Sequence, residues 1–345
     1  NFSISNQKLP NPNSYNSTSN VTSSDIDGDG DQDLFVGERV IPSKYGMPGS
    51  GFLLINNGKG LFTDETQTLA PEFINLGMIT DAEFVDLDGD NDQDLVVVGE
   101  FMEITIFKNE KGKFKKENSS LPDLFGWWNT VHTTDIDGDG DLDIIVGNHG
   151  LNSRFKATTK NPIKLFVKDF DNNGRVDPIM TFTAQNGKDY PFALRHDLID
   201  QIKSLKKIFP DYKSFQDATI NEILSPKQLE NVAVLKATTL ETTLLINEGN
   251  FKFKKIILPY VAQLTPIYAI NSGDFDQDGD IDIIMGGNLY NAKPEVGRYD
   301  ASYGVFIENK GNLKFEANAT NKGFNIDGEI RSIKTIPNTN KIIVT

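Results

Sequence analysis

The chain has 345 residues, a formal net charge of −15 from 49 acidic and 34 basic side chains, and no cysteine. That balance excludes a nucleic-acid binder, which needs a basic footprint. The missing cysteine excludes disulfide staples, thiol catalysis and cysteine-ligated metal centres.

No apolar run approaches the roughly 20 residues of a membrane helix. In chain order, NFSISNQKLP at 1–10 reads as the end of a turn followed by a Phe-bearing strand. Five copies of an acidic nine-residue pattern follow. They are DIDGDGDQD at 25–33, DLDGDNDQD at 86–94, DIDGDGDLD at 135–143, DFDNNGRVD at 169–177 and DFDQDGDID at 274–282. Together they hold 23 of the 49 acidic residues. Carboxylates packed this closely repel one another, and a bound hard cation relieves the repulsion.

Alternate residues of a curled loop converge on one point, and the oxygen donors at positions 1, 3, 5 and 9 suit Ca²⁺. The expected side-chain ligands are Asp25, Asp27, Asp29 and Asp33; Asp86, Asp88, Asp90 and Asp94; Asp135, Asp137, Asp139 and Asp143. The last two loops offer Asp169, Asp171, Asn173 and Asp177, then Asp274, Asp276, Asp278 and Asp282. Position 7 is expected to give only its backbone carbonyl, from Asp31, Asp92, Asp141, Arg175 and Asp280, which is why arginine is tolerated there. Up to five Ca²⁺ ions, one per loop, would leave the folded chain near −5. Glycine at position 4 or 6 permits the turns. An EF-hand is excluded, because position 12 is Val36, Val97, Val146, Met180 or Met285 within strand-like runs, where that motif needs a glutamate.

Between the loops stand four hairpin signals: GFLLINNGKGLF at 51–62, ITIFKNEKGKF at 104–114, TTLLINEGNFKF at 242–253 and GVFIENKGNLKF at 304–315. One unit is then strand, acidic loop, strand, connector, strand, turn, strand. Four antiparallel strands in such a unit match a β-propeller blade. The expected fold is an all-β propeller of four-stranded antiparallel blades, with six motif-phased units and room for a seventh in the gap between the fourth and fifth loops.

These units resemble FG-GAP/VCBS repeats, the repeat type of integrin α-subunit propellers, and the resemblance implies a calcium-stapled propeller. The segments at 126–158, 209–224 and 296–304 resemble one bacterial group: exported VCBS proteins with an ASPIC/UnbV-type segment, similar to cartilage acidic protein. That group has no established enzymatic activity. The whole of 1–345 reads as one propeller domain from a larger protein. The run 328–345 resembles the first two strands of a blade whose loop has lost its acids.

Residues 195–230 read as a helical insertion. Leu198, Ile202, Leu205 and Phe209 share one helical face, Pro210 ends it, Ser214 starts a second helix, and Ser225-Pro226-Lys227-Gln228 starts another. The adjacent Trp127 and Trp128 would point to opposite faces of a strand. With His149, Arg154, Arg195, Arg298 and Tyr299 they are the candidate partner-binding residues. His196 belongs to the same stretch, and His132 reads as a packed strand residue. The function expected is a non-catalytic, calcium-binding module of an exported bacterial protein, binding a protein or glycan at the cell surface. A polysaccharide lyase on the same scaffold is the first alternative, and a structural subunit of an outer-membrane surface complex is the second.

Overall fold

A computed structural model describes residues 6–10, 17–121, 124–317, 323–336, 339 and 341–345. Residues 1–5, the start of the expected N-terminal strand, lie outside the described residues.

The first sheet runs β1 (Ser17–Ser24), β2 (Asp33–Val40), β3 (Gly51–Asn56), β4 (Phe62–Asp64), all antiparallel and in chain order. The second repeats this with β5 (Met78–Val85), β6 (Asp94–Glu103), β7 (Thr105–Glu110) and β8 (Lys113–Lys116). A further strand, β9 (Phe125–Trp127), pairs with the end of β6. The third begins with β10 (Thr130–Thr134) and β11 (Asp143–Gly147), then breaks off. A separate sheet of β12 (Ile163–Val167), β13 (Ile179–Thr183), β14 (Asp189–Pro191) and β15 (Ala233–Ala237) intervenes, in the order β14-β13-β12-β15. Only then do β16 (Thr243–Asn247) and β17 (Phe253–Ile256) complete the third sheet. The fourth is β18 (Ile267–Gly273), β19 (Asp282–Gly287), β20 (Val305–Asn309) and β21 (Phe315–Ala317). Last comes a two-stranded sheet of β22 (Ile333–Thr335) and β23 (Ile342–Val344).

All four sequence-predicted hairpins and all five acidic loops join the strands expected of them. The expectation of six successive units needs one correction. The fourth acidic loop joins β12 to β13, so it belongs to the inserted sheet and opens no unit in the main series. The gap before the fifth loop holds the rest of this sheet, its helices and the two strands that complete the third sheet.

Continuous apolar runs such as DLVVV and DIIV arise because each second strand is covered on both faces. Period-two alternation then divides its side chains. Leu95 and Val97 pack with Phe35 and Leu53 of the first sheet and with Phe73 of the connector after it, whereas Val96 and Val98 pack with Ile144 and Val146 of the third. Ile145 faces the fourth sheet through Ile283 and Met285, and Ile284 faces Ile333 beyond it. The main sheets therefore stack face to face in chain order. Their first strands lie side by side, β1 against β5, β5 against β10, β10 against β18, and β18 against β22. Segments of all five line one polar cavity of about 520 Å³.

The inserted sheet carries five short helices: Arg195–Gln201, Leu205–Ile208, Tyr212–Phe215, Ile220–Ile223 and Pro226–Leu229. Leu198, Ile202, Leu205 and Phe209 are buried together against Phe166, Phe170 and Ile179 of that sheet. The single helix expected over them is two helices, because the backbone turns extended at Ile202. Ser225 caps as expected, its hydroxyl accepting from Gln228 N–H. Ser214 does not start a helix. Asp211 caps that turn, accepting from Ser214 N–H, and Thr219 starts the next.

Candidate metal centres and a candidate binding face

Each acidic loop curls on its own side chains. The position 1 carboxylate accepts backbone N–H groups from positions 4 or 5 and 6; Asp25, for example, takes Gly28 N–H at 2.8 Å and Gly30 N–H at 3.1 Å. Asp86, Asp135, Asp169 and Asp274 do the same. Positions 4 and 6 are left-handed in all five loops. Glycine supplies that conformation most often, and Asn91, Asn172 and Gln277 supply it elsewhere. The curl brings three carboxylates per loop to within 4.8 Å of one another: Asp25, Asp27 and Asp29; Asp86, Asp88 and Asp90; Asp135, Asp137 and Asp143; Asp169, Asp171 and Asp177; Asp274, Asp276 and Asp282. The position 5 side chains Asp29, Asp90, Asp139, Asn173 and Asp278 each accept the N–H of position 7.

Position 9 is buried and braced. In the four main sheets one oxygen of Asp33, Asp94, Asp143 or Asp282 accepts the N–H of position 2. The other accepts the N–H of the asparagine that ends the third strand, Asn56, Asn109, Asn247 or Asn309. Burial, with Asp88 and Asp90 nearby, pushes the Asp94 carboxyl up to about 7. Burial likewise pushes Asp143 up to about 7. Carboxylates so destabilised in their charged form, with oxygen as the only donor, suit a hard divalent cation, which reverses that penalty. The donor sets fit Ca²⁺.

Two features of the loops escaped the sequence reading. The position 7 carboxylates do more than carry a carbonyl. Asp92 accepts Lys111 N–H at 3.1 Å in the turn of its outer hairpin, and Asp31, Asp141 and Asp280 lie against the corresponding turn glycines, Gly58, Gly249 and Gly311. Arg175 is exposed, since the inserted sheet has no such hairpin over its loop. The same sheet lacks the third-strand asparagine, and Asp177 is braced from within its own loop, by the backbone N–H groups of Phe170 and Asp171. The second feature is Lys108. Its ammonium pairs with Asp88 and, at 3.1 Å, with Asp90, placing a protein cation inside the second loop.

The asparagines also join the sheets. Asn109 Nδ2 donates to Ile26 O of the preceding sheet's loop, Asn247 Nδ2 to Leu87 O at 2.9 Å, and Asn309 Nδ2 to Ile136 O at 3.0 Å. The visible signal is the Asn two or three residues before each hairpin glycine, a residue type that turn chemistry alone also favours.

The candidate partner-binding residues divide. Trp128 is 0% exposed between the second and third sheets, its indole N–H donating to Met102 O. Trp127 points the other way and lines a cavity of about 580 Å³ with His149, Phe155, Tyr268 and Arg331. His149 meets Trp127 at 5.3 Å and Tyr299 at 4.7 Å between ring centroids, and burial pulls its imidazole down to about 4. Arg154 lies over Phe155 and Phe192 nearby, and Arg298 over Tyr290. His149, Arg154 and Arg298 follow second strands and Trp127 precedes a first strand, so all four sit at the strand ends opposite the acidic loops. Arg195 and His196 are not among them. Arg195 donates to Phe209 O and Pro210 O within the helical insertion, and His196 bonds the Tyr212 hydroxyl there. His132 is a strand residue paired with Ser272, as expected.

Stacked four-stranded antiparallel sheets, each opened by an oxygen-rich loop that can hold a cation, define a repeat protein of the all-β class. Among models of known families, the FG-GAP-like repeat matches residues 25–97 and 86–146, the stretch that holds the first three acidic loops. Residues 25–146 thus carry FG-GAP-like repeats. No curated protein matches it.

Proposed function

We propose that the chain is a calcium-binding β-propeller module of an exported protein, which binds a protein or glycan partner and performs no catalysis. The observation that carries this reading is the recurrence, five times over, of three carboxylates within 4.8 Å in an otherwise self-braced loop. The side-by-side first strands around one polar cavity support the propeller. The FG-GAP-like repeats support a binding module, and they are typical of extracellular domains. No helix among the described residues is long and apolar enough to cross a membrane. Thermal melting with saturating Ca²⁺ and with chelator tests the reading, because a ligand bound only by the folded state stabilises it by mass action. A fall in melting temperature that Ca²⁺ restores is expected; identical curves would refute structural calcium.

A polysaccharide lyase is the second reading. His149, Tyr299 and Arg154 gather at one place, with the imidazole held uncharged as a base requires. New ultraviolet absorbance from unsaturated products, lost in His149→Ala, would establish it.

A further inference from the structure

In a chain of net charge −15, one surface hollow is lined by cations and by no acid. It encloses about 480 Å³ between the connector after β11, the turn before β18 and the connector after β19. Arg154, Lys156 and Arg298 supply its charge, Asn152 and Ser153 its neutral polar groups, and Tyr260 an aromatic ring.

None of the three cations stands in an ion pair among the described residues. Each is anchored without being neutralised. The Arg154 guanidinium lies 5.6 Å from the Phe192 ring centroid, Arg298 lies 5.3 Å from that of Tyr290, and Lys156 Nζ donates to Leu151 O at 2.8 Å. Asp300, Asp327 and Glu329 act on the Tyr290 ring but do not line the hollow. Guanidinium groups held by stacking keep their forks free for the paired oxygens of a carboxylate or sulfate. Tyr260 is 63% exposed and offers a flat face of the kind that packs on a sugar ring. The lining is almost wholly polar and lacks the apolar pocket in which a peptide would anchor a side chain.

We infer that this hollow binds an acidic glycan, its carboxylate or sulfate groups on Arg154, Lys156 and Arg298 and a sugar face on Tyr260. The inference rests on the binding-module reading and names the partner class for it. The test is calorimetric titration of the whole calcium-loaded chain with four probes: a short oligogalacturonate, dextran sulfate, neutral dextran and poly-glutamate. At least one acidic glycan should bind ten times more tightly than dextran or poly-glutamate, and the responding probe separates carboxylate from sulfate. Lys156→Ala combined with Arg298→Ala should weaken that binding at least tenfold while leaving the calcium-dependent melting temperature in place. Arg298→Lys, which keeps the charge and loses the fork, should fall between. Equal binding of dextran, equal or tighter binding of poly-glutamate, or indifference to the double variant would overturn the inference. If no glycan binds while chelator still lowers the melting temperature, the inference fails and the module reading stands. If an acidic glycan binds and is cleaved, the site stands and the non-catalytic reading falls.

Discussion

Replacing Asn247 by Leu tests what holds successive sheets together. The side chain is 0% exposed. Its Nδ2 donates to Leu87 O at 2.9 Å and to Leu142 O at 3.3 Å, and its Oδ1 accepts Gly249 N–H at 3.0 Å. Leucine has nearly the same volume, so the change opens no large cavity but strips three hydrogen bonds and strands the buried Leu87 carbonyl. At about 1 kcal/mol for each bond lost, and more for the orphaned carbonyl, the cost should be about 3–4 kcal/mol. Asn56→Leu is the matched control. Asn56 ends the third strand of the first sheet and is half-buried; among the described residues its side chain bonds only within its own sheet, donating to Gln32 O at 3.1 Å and accepting Gly60 N–H at 3.1 Å. Its two bonds are part-exposed and water can replace them, so the change should cost about 1–2 kcal/mol. Urea unfolding under saturating Ca²⁺ measures both, and holding the metal fixed keeps loop occupancy out of the comparison. If Asn247→Leu costs no more than Asn56→Leu, the asparagines are turn residues only and do not tie the sheets.

Lys108 predicts unequal calcium sites. Its ammonium already sits on Asp88 and Asp90, so the loop at 86–94 should fill last in a calorimetric calcium titration, and Lys108→Met should remove that weakest class; a titration unchanged by the variant would refute the competition. Glu83 faces the central cavity, where burial raises its carboxyl to about 7, helped by Asp81 and opposed by Thr133 and Lys334. A folded-state value above the unfolded one means stability that is full at low pH and lost as pH climbs through about 4.5 to 7. Glu83→Gln should therefore match the wild type near pH 4 and exceed it near pH 8 by at most about 3 kcal/mol; parallel pH profiles would count against a buried Glu83. Burial lowers His132 to about 4, with Lys334 assisting, so its contribution is present above about 6.5 and lost as pH falls; His132→Asn should flatten acid unfolding in that range.

Local features were legible in the sequence because their causes are local. The acidic loops curl through bonds spanning two to seven residues, so the spacing of Asp and Gly contains the geometry. Trp127 and Trp128 could be split by strand alternation alone. Strand pairing is non-local, and local spacing does not contain it. DPIMTF after the fourth loop looks like DIIVGN after the third, yet β13 pairs with β12 and β14 whereas β11 pairs with β10 and β16. One residue did carry the distinction. Arg175 replaces the aspartate that elsewhere faces a hairpin turn, whereas the Asn186-Gly187 turn that follows joins β13 to β14 and looks like the turns of the main sheets. The Ser214 error has a similar cause, since Asp211 and Ser214 are three apart and each can cap, and only the backbone path selects Asp211. Arg195 and Arg154 look alike in sequence; what separates them is the pair of helix-end carbonyls that the fold places at Arg195.

The two charged regions lie at opposite strand ends, and that fixes how they couple. A second strand such as β19 (Asp282–Gly287) advances about 3.3 Å per residue, so about 15 Å or more separates an acidic loop from the connector bearing Arg298. The Debye length at physiological ionic strength is about 8 Å, so uncompensated carboxylates at one end barely reach the cations at the other. Calcium should then govern how much of the chain is folded and leave the affinity of the folded fraction for a sulfated glycan unchanged. Binding isotherms with dextran sulfate, taken below the melting temperature at several calcium concentrations, separate amplitude from affinity. Amplitude should fall with calcium at constant Kd. A Kd that shifts more than about threefold, roughly 0.7 kcal/mol, would show the loops and the hollow to be linked through the fold rather than insulated by distance.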